Sequence, residues 1–251
     1  MSVLHVDHVT KSFDGEKVIE DISIQLNKGE IVSLLGVSGG GKTTLFNLIA
    51  GIKMPDEGKI YLDGEEITGK PGNVSYMLQK DLMLPYRTIV DNVALPLLVN
   101  GMKKKEAREK AAAHFEQFGL AGTENKYPAQ LSGGMKQRAA LLRTYLFSEK
   151  VALLDEPFSA LDMLTKSSMH EWYLKVMEEI QLSTLFITHD IDEAILLSDR
   201  IYLLTGRPGR ITKEIVIQEK KPRGREFNLT DAFLNYKKEI LAHLESNETA
   251  D

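Results

Sequence analysis

One glycine-rich run, Gly36-Val37-Ser38-Gly39-Gly40-Gly41-Lys42-Thr43, has the residues needed to bind phosphate. Glycines let the backbone turn tightly and direct N–H groups at phosphate oxygens, and a helix predicted from Lys42 to Ala50 adds the positive end of its dipole. Lys42 supplies a positive charge for the β- and γ-phosphates, and the Thr43 hydroxyl can ligate Mg²⁺. The run follows a short apolar segment, Ile31 to Leu35, that is typical of a buried parallel strand. This context favours a nucleotide-binding P-loop over a glycine-rich turn without a ligand.

Two acidic residues end a second apolar run. Val151-Ala152-Leu153-Leu154 is followed by Asp155 and Glu156, which is the Walker B arrangement. Asp155 can hold Mg²⁺ beside the P-loop, directly or through water. Glu156 is then placed to polarise the attacking water as a general base. Alone, two acids would simply cap a strand; next to a P-loop they predict a nucleoside triphosphatase.

A third run, Leu131-Ser132-Gly133-Gly134-Met135-Lys136-Gln137-Arg138, predicts another glycine-rich helix start with a hydroxyl, able to contact a γ-phosphate. In isolation it would equally suit an ordinary helix N-cap. Together with the two preceding motifs it resembles the LSGGQ signature of the ATP-binding cassette (ABC) ATPases. Met135 stands where glutamine is usual.

Further motifs of that family occur in the expected order, from Phe13 to about Gly209. Gln79 resembles the Q-loop glutamine, which senses Mg²⁺ and the membrane partner. Ser159-Ala160-Leu161-Asp162 resembles the D-loop, and His189 resembles the switch histidine that contacts the γ-phosphate. Phe13 occupies the A-loop position, where tyrosine is commoner and an aromatic ring stacks on adenine.

The resemblance implies a set of site residues with ATP and Mg²⁺ as ligands. The catalytic residues are Glu156, His189 and Gln79. The Mg²⁺ ligands are Thr43, Gln79 and Asp155. The ATP-binding residues are Phe13, Val18, Gly36, Ser38, Gly39, Gly40, Gly41, Lys42, Thr43 and Thr44. The signature residues Ser132, Gly133, Gly134 and Met135 contact the nucleotide of the partner subunit, and Asp162 belongs to the D-loop.

The same resemblance implies an assembly. Two copies form a head-to-tail homodimer in which the signature of one protomer closes on the ATP held by its partner. Transmembrane permease subunits bind this dimer, and a solute-binding protein acts with it indirectly. We expect the segment Leu82 to Pro96 to line the groove that receives a coupling helix of the permease; the alternative is plain subdomain core.

The strands and helices predicted around these motifs indicate an α/β fold. Val3 to Val9 and Val18 to Leu26, joined by an Asp14-Gly15 turn, predict an antiparallel N-terminal β subdomain. Strand-and-helix alternation suggests a P-loop (RecA-like) core, interrupted by a helical insertion. Further strands are predicted at Ile60 to Leu62, Val74 to Met77, Thr184 to Thr188 and Ile201 to Leu204, helical structure from about Leu82 to Phe147, and a last amphipathic helix from Asp231 to Leu244. We therefore predict one ABC ATPase domain over residues 1–251, with the core at about 1–80 and 148–251 and the helical subdomain at about 81–147.

Composition narrows the class of protein. A net charge of -5 argues against nucleic-acid binding. The chain contains no cysteine, and it shows neither an apolar run of about 18 residues nor a secretory signal. These features predict a cytoplasmic protein, which the resemblance places on the inner face of the cell membrane.

Three kinds of ABC protein compete: an importer subunit, an exporter or lipoprotein-release subunit, and a non-transport ATPase. The third fits poorly, because there is one cassette and no basic tail. Pro157-Phe158-Ser159-Ala160-Leu161-Asp162 with Leu164-Thr165-Lys166, and Thr205-Gly206-Arg207-Pro208-Gly209-Arg210-Ile211, resemble the nitrate, sulfonate and taurine branch of importers, which includes systems for thiamine-precursor pyrimidines. A surface turn before a strand is the alternative interpretation of Arg207 to Arg210. The cargo is specified by other subunits.

Overall fold

The computed structural model describes residues 2–37, 39–148 and 150–248, which build two β-sheets and the helices around them. The smaller sheet is antiparallel, with the strand order β2-β1-β4-β5. Its strands are β1 (Ser2–Phe13), β2 (Glu16–Asn27), β4 (Glu57–Leu62) and β5 (Glu65–Glu66). Along β1 and β2 apolar side chains recur on the face turned to the core, as expected of a sheet with one solvated side.

The larger sheet has the order β10-β9-β3-β8-β7-β6. Five of its strands run parallel, and β10 pairs antiparallel with β9 at one edge. The strands are β3 (Ile31–Gly36), β6 (Ser75–Met77), β7 (Val151–Asp155), β8 (Ser183–Thr188), β9 (Arg200–Thr205) and β10 (Arg210–Val216). Every residue of β3, β7 and β8 is buried, which explains their near-continuous apolar sequences.

Helices cover both sheets and form the predicted insertion. They are α1 (Lys42–Ile49), α2 (Ile89–Val93), α3 (Leu95–Val99), α4 (Lys104–Ala112), α5 (Gly133–Phe147), α6 (Met163–Ile180), α7 (Ile191–Leu197) and α8 (Asp231–Glu248), with 3₁₀ turns at Pro128–Gln130 and Arg225–Leu229. Along the described ranges no helix is long and apolar enough to cross a membrane.

The predicted helical stretch from Leu82 to Phe147 is wrong at its start and in its middle. Leu82 has a positive φ of 45°, and the first helix begins only at Ile89, after the N-cap Thr88. The chain between Leu82 and Thr88 is instead held by the buried side chain of Asn92, which bonds the backbone of Leu84. Within Met102 to Gly119, a stretch rich in Lys, Glu and Ala, the chain is α-helical only over Lys104–Ala112.

Three apolar clusters hold the elements together. One joins the antiparallel sheet to α1 and the large sheet, one fills the helical insertion, and one lies under α8. Phe233 and Ile240 of α8 are buried against Leu35 and Ile195, so the predicted packing of the last helix on the core is confirmed. The insertion's cluster also contains Tyr173 of α6, so helix packing ties the insertion to the core.

The sheet order decides where the chemistry lies. Because β3, β8, β7 and β6 run parallel, their carboxyl ends meet at one edge of the sheet. The glycine-rich run follows β3, Asp155 ends β7, His189 follows β8, and Gln79 follows β6. Ligands of open α/β sheets bind at this edge.

Candidate active site

The phosphate-binding loop needs its glycines partly because other chain segments pack directly behind it. A methyl group at Gly36 would overlap the carbonyl oxygen of Leu204, and one at Gly41 would overlap the side chain of Ile19. Gly41 also has a φ of 91°, in the left-handed region that glycine adopts without strain. It lies at the N-cap of α1, so the loop leads straight into the helix start that can bind an anion.

A second segment behind this loop was not assigned to the site from the sequence. The turn that contains Arg207 and Gly209 bonds to β2: the Gly209 N–H donates to the Val18 carbonyl at 2.9 Å, and the Glu20 N–H donates to the Gly209 carbonyl at 3.0 Å. A methyl group at Gly209 would overlap the Gly40 carbonyl oxygen. The run is a turn before β10 with Arg207 and Arg210 exposed, as the alternative interpretation had it, but Gly209 within it is buried against the loop.

We expect Gly209→Ala to weaken ATP binding and to lower the free energy of unfolding by about 1–3 kcal/mol, because overpacking forces the backbone of Gly40 to move. Titration of the purified variant with ATP and its denaturant unfolding curve measure the two effects. Gly224→Ala is the matched control, since a methyl group there would meet nothing within 4 Å. ATP affinity equal to that of the wild type would show that this packing does not shape the loop.

Lys42 is buried, and its ammonium is held by the loop itself. Its Nζ donates to the carbonyl oxygens of Gly36 at 2.7 Å and Val37 at 2.8 Å. Burial lowers the pKa of Lys42, although the charges of Glu156 and Asp155 oppose this change. The cation thus lies inside the loop, facing two carboxylates.

The oxygens suited to Mg²⁺ lie where β7 ends. Thr43 Oγ1 is 3.4 Å from Asp155 Oδ2, and adjacent ligands of an octahedral Mg²⁺ at 2.0–2.1 Å are about 3 Å apart. Burial, and then the charge of Glu156, raise the pKa of the Asp155 carboxyl. A bound divalent cation would stabilise the ionised carboxylate and so oppose both effects. Among the described residues, no group of three or more His, Cys, Asp or Glu side chains is arranged so that it could hold a metal ion. One carboxylate and one hydroxyl suit Mg²⁺, which usually takes its other ligands from water and phosphate.

Tyr76 is a further neighbour of Asp155 that sequence reasoning missed. Its hydroxyl lies 3.4 Å from Asp155 Oδ2, and burial together with that carboxylate raises the pKa of Tyr76. Its ring packs edge-on against Phe46 of α1. The apolar pattern of β6 hid this contact, because a half-buried tyrosine in a strand looks like a core residue.

Glu156 is held between the two other predicted catalytic side chains. Gln79 Nε2 donates to Glu156 Oε2 at 3.0 Å, and His189 Nδ1 lies 3.2 Å from Glu156 Oε1. Glu156 has a φ of 47°, an unusual backbone conformation for a non-glycine residue. Its N–H donates to the Ile187 carbonyl, which fixes this turn to β8. The three predicted catalytic residues therefore lie together. The Gln79 side chain bonds Glu156, however, and makes no hydrogen bond to Thr43 or Asp155, the other predicted Mg²⁺ ligands.

The signature run forms a helix start separate from the P-loop. Ser132 is the N-cap of α5, and its hydroxyl accepts from the Met135 N–H at 3.3 Å, so the ordinary capping role is also fulfilled. A methyl group at Gly133 would lie 3.5 Å from the side chain of Leu161 in the D-loop. Asp162 caps α6 in the same manner, accepting from Thr165 N–H at 3.1 Å.

Gly133 lines a cleft of about 860 Å³ together with Gln79, Glu156, Leu161 and His189. Gln137, another residue that sequence reasoning missed, is buried in the second turn of α5, and its amide donates to the Pro157 carbonyl. This bond joins the signature helix to the residue after Glu156. The insertion and the catalytic edge therefore share one cleft.

The residues expected to bind the nucleoside lie around the P-loop and at the end of β1, apart from the catalytic side chains. Phe13 ends β1, and the ammonium of Lys53 lies 4.3 Å from its ring centroid, so one ring face contacts a cation. A methyl group at Gly41 would lie 3.1 Å from the Val18 carbonyl oxygen, and Thr44 is half-buried in the first turn of α1. Ser38 lies outside the described residues.

The comparisons with known proteins agree with this geometry. The ABC transporter family model matches residues 19–159. Formylaminopyrimidine import ATP-binding protein ThiZ of Halalkalibacterium halodurans is 50% identical over 76% of this chain and 74% of its own length. Nitrate import ATP-binding protein NrtD of Synechocystis is 36% identical, covering 99% of this chain and 97% of its own length.

Solved structures give the same result. The dimeric, post-hydrolysis ATP-binding cassette MJ0796 with bound ADP and Pi has a TM-score of 0.72 at 28% identity, covering 86% of this chain and all of its own. Fold and site together define a P-loop ATPase of the cassette class, and the predicted fold is confirmed. The chain belongs to the ABC transporter family. It is an ATP-binding and ATP-hydrolysing subunit of that family.

Proposed function

We propose that this chain hydrolyses ATP with Glu156 as the general base. The observation that carries this role is the pair of contacts to Glu156 from Gln79 and His189, beside Asp155 at the carboxyl edge of the sheet. Its carboxylate accepts the proton of the attacking water, while the two neighbours hold it in one orientation. His189, which contacts the other oxygen of this carboxylate, then binds the γ-phosphate.

Lys42 exchanges its loop carbonyls for the β- and γ-phosphate oxygens. Thr43 and Asp155 hold Mg²⁺, which supplies charge neutralisation at the phosphates when bound. Backbone N–H groups of the loop and the start of α1 bind the remaining oxygens. Phe13 stacks on the adenine after Lys53 moves from its ring.

Two copies complete the site. The signature of one protomer, Ser132 to Met135, offers a second helix start, and Gly133 at this start lines the cleft that also contains Glu156. In a head-to-tail homodimer this helix start faces the γ-phosphate held by the partner's P-loop. The D-loop residue Asp162 lies at the same interface.

We also infer that the dimer drives import through a membrane permease, acting with a solute-binding protein. The named relatives are import ATP-binding proteins for formylaminopyrimidine, nitrate and aliphatic sulfonates, which favours import over export or a non-transport role. The chain then lies at the inner face of the cell membrane, and no nucleic acid takes part.

The docking surface for the permease is narrower than the predicted Leu82 to Pro96. Ile89, Val90, Val93 and Ala94 are core residues, as the alternative interpretation had it. The exposed apolar side chains belong to Leu82, Leu84 and Tyr86, the last 93% exposed.

These side chains stand on an ordered loop. Arg143 donates to the Leu82 carbonyl at 3.1 Å, and Asn92 bonds both backbone groups of Leu84. Apolar residues held exposed on a fixed backbone are typical of a protein-binding surface.

We expect Tyr86→Arg to abolish retention of this chain on membranes that contain its permease, while ATP binding by the purified subunit is unchanged. Sedimentation of vesicles with bound subunit measures the first, and nucleotide titration the second. Leu229→Arg is the matched control, since Leu229 is 85% exposed on a different part of the surface. Retention of the Tyr86 variant at the wild-type level would refute this docking surface.

A further inference from the structure

A buried carboxylate lies behind the catalytic edge and takes no part in the chemistry proposed above. Glu193, on α7, has a side chain only 3% exposed. It is bonded by the Thr188 hydroxyl at the end of β8, by His170 Nε2 at 3.0 Å and by Lys166 Nζ at 3.3 Å. A buried carboxyl group with one partner on β8 and two on α6 fixes those two elements relative to α7.

Lys166 joins this cluster to the D-loop. Its ammonium also bonds Asp190 Oδ2 at 2.6 Å, and its own N–H donates to the carbonyl of Asp162 at 2.8 Å in the first turn of α6. Burial raises the pKa of Asp190, but the hydrogen bond and charge of Lys166, together with hydrogen bonds from the backbone of α7, hold that pKa below its usual value. Asp190 is thus an ionised partner of Lys166 at neutral pH.

His189 lies between two members of the cluster. Thr188 bonds Glu193, and Asp190 bonds Lys166, so the backbone on both sides of His189 is fixed. The Asp190 N–H also donates to Thr188 Oγ1 at 3.1 Å, and Asp190 caps α7 by accepting from the Glu193 N–H. The His189 side chain itself is 59% exposed and reaches Glu156. Its orientation therefore depends on the backbone that carries it.

We propose that Lys166 is a positioning residue for ATP hydrolysis, tying the D-loop helix to the segment that carries His189. A displacement of the D-loop, such as arrival or departure of a partner subunit at that surface, moves α6 and with it Lys166. Asp190 and Glu193 then carry the movement to His189. This inference rests on the proposed catalytic contribution of His189.

The test uses the double variant Lys166→Met/Glu193→Gln, because removing Lys166 alone would leave a buried carboxylate without its cation. We expect kcat for ATP to fall about 10- to 100-fold, the effect of a small misplacement of a catalytic group. KM for ATP and the thermal unfolding midpoint should stay close to wild type. Lys237→Met is the matched control: it removes an ion pair between α8 and Asp192 of α7 that has no link to the D-loop helix, and its kcat should equal wild type.

The same double change is then made in a His189→Ala background, where phosphate release is followed long enough to measure the residual rate. If Lys166 acts through His189, the double change slows this variant by less than about 2-fold. An equal slowing in both backgrounds, a wild-type rate for the double variant, or the same loss in Lys237→Met would overturn the inference. A wild-type rate for His189→Ala would instead remove the catalytic role on which the inference rests.

Discussion

Glu156→Gln is expected to slow ATP hydrolysis by about 10²- to 10⁴-fold, the usual cost of losing a positioned general base. Glutamine keeps the size and hydrogen-bonding reach of glutamate but cannot accept the proton of the attacking water. ATP binding should survive, because Lys42, Thr43 and Asp155 are unchanged. Removing a negative charge near Asp155 also reduces repulsion in the closed site, so the variant should accumulate as an ATP-bound dimer.

Phosphate release and light scattering with ATP, compared with ADP, measure the two effects. Glu178→Gln, an exposed glutamate on α6, is the control for the loss of one charge. A wild-type rate for Glu156→Gln would reassign the base, with His189 the next candidate. An inactive variant that stays monomeric with ATP would keep the catalytic role and indicate that closure requires the membrane subunits.

Lys42→Ala is expected to reduce ATP binding or hydrolysis nearly to zero. Lys42 is the buried cation of the loop among the described residues, and it lies between loop carbonyls and the Asp155 and Glu156 carboxylates. Without it, those two acids would repel the phosphates unopposed. Nucleotide titration and phosphate release measure the loss, with Lys105→Ala as the control, since Lys105 lies 90% exposed in a surface pair. Turnover within a few-fold of wild type would remove this residue from the mechanism.

Mixing two inactive variants tests whether each ATP site is formed by residues of both subunits. Ser132→Arg should leave ATP binding by the single subunit intact but block hydrolysis, because the signature acts on the partner's nucleotide. A heterodimer of Ser132→Arg and Lys42→Ala subunits contains one wholly intact site and one doubly damaged site, and it should recover activity. No recovery where heterodimers demonstrably form would contradict either action across the interface or independence of the two sites.

The parts of the site that the sequence predicts are those encoded by short local patterns. An apolar strand followed by Gly36 to Thr43, and another ending in Asp155 and Glu156, each identify an element and its chemistry in fewer than a dozen residues. Because both strands are parallel, their carboxyl ends must meet, so the site follows once the sheet is recognised. The resemblance to a family supplied Gln79 and His189.

Features that depend on distant packing were not predictable. Nothing local to Gly209 shows that it must be small; that requirement comes from Gly40, far away in the chain. The left-handed backbone of Glu156 is imposed by its bond to β8, against the preference of its residue type. The prediction of a helix over Leu82 to Thr88 was wrong because the side chains of Asn92 and Arg143 form hydrogen bonds with that backbone instead.

The ammonium of Lys42 already has two good acceptors before nucleotide arrives, the carbonyls of Gly36 and Val37. When ATP binds, the lysine therefore exchanges neutral hydrogen-bond acceptors for charged ones. Its side chain is already fixed by the loop, so little further rotamer entropy is lost on binding. The same carbonyls are available when ADP departs, so the lysine need never be left unpaired in a buried site. The lysine therefore keeps hydrogen-bond acceptors at every stage of nucleotide exchange, in either direction.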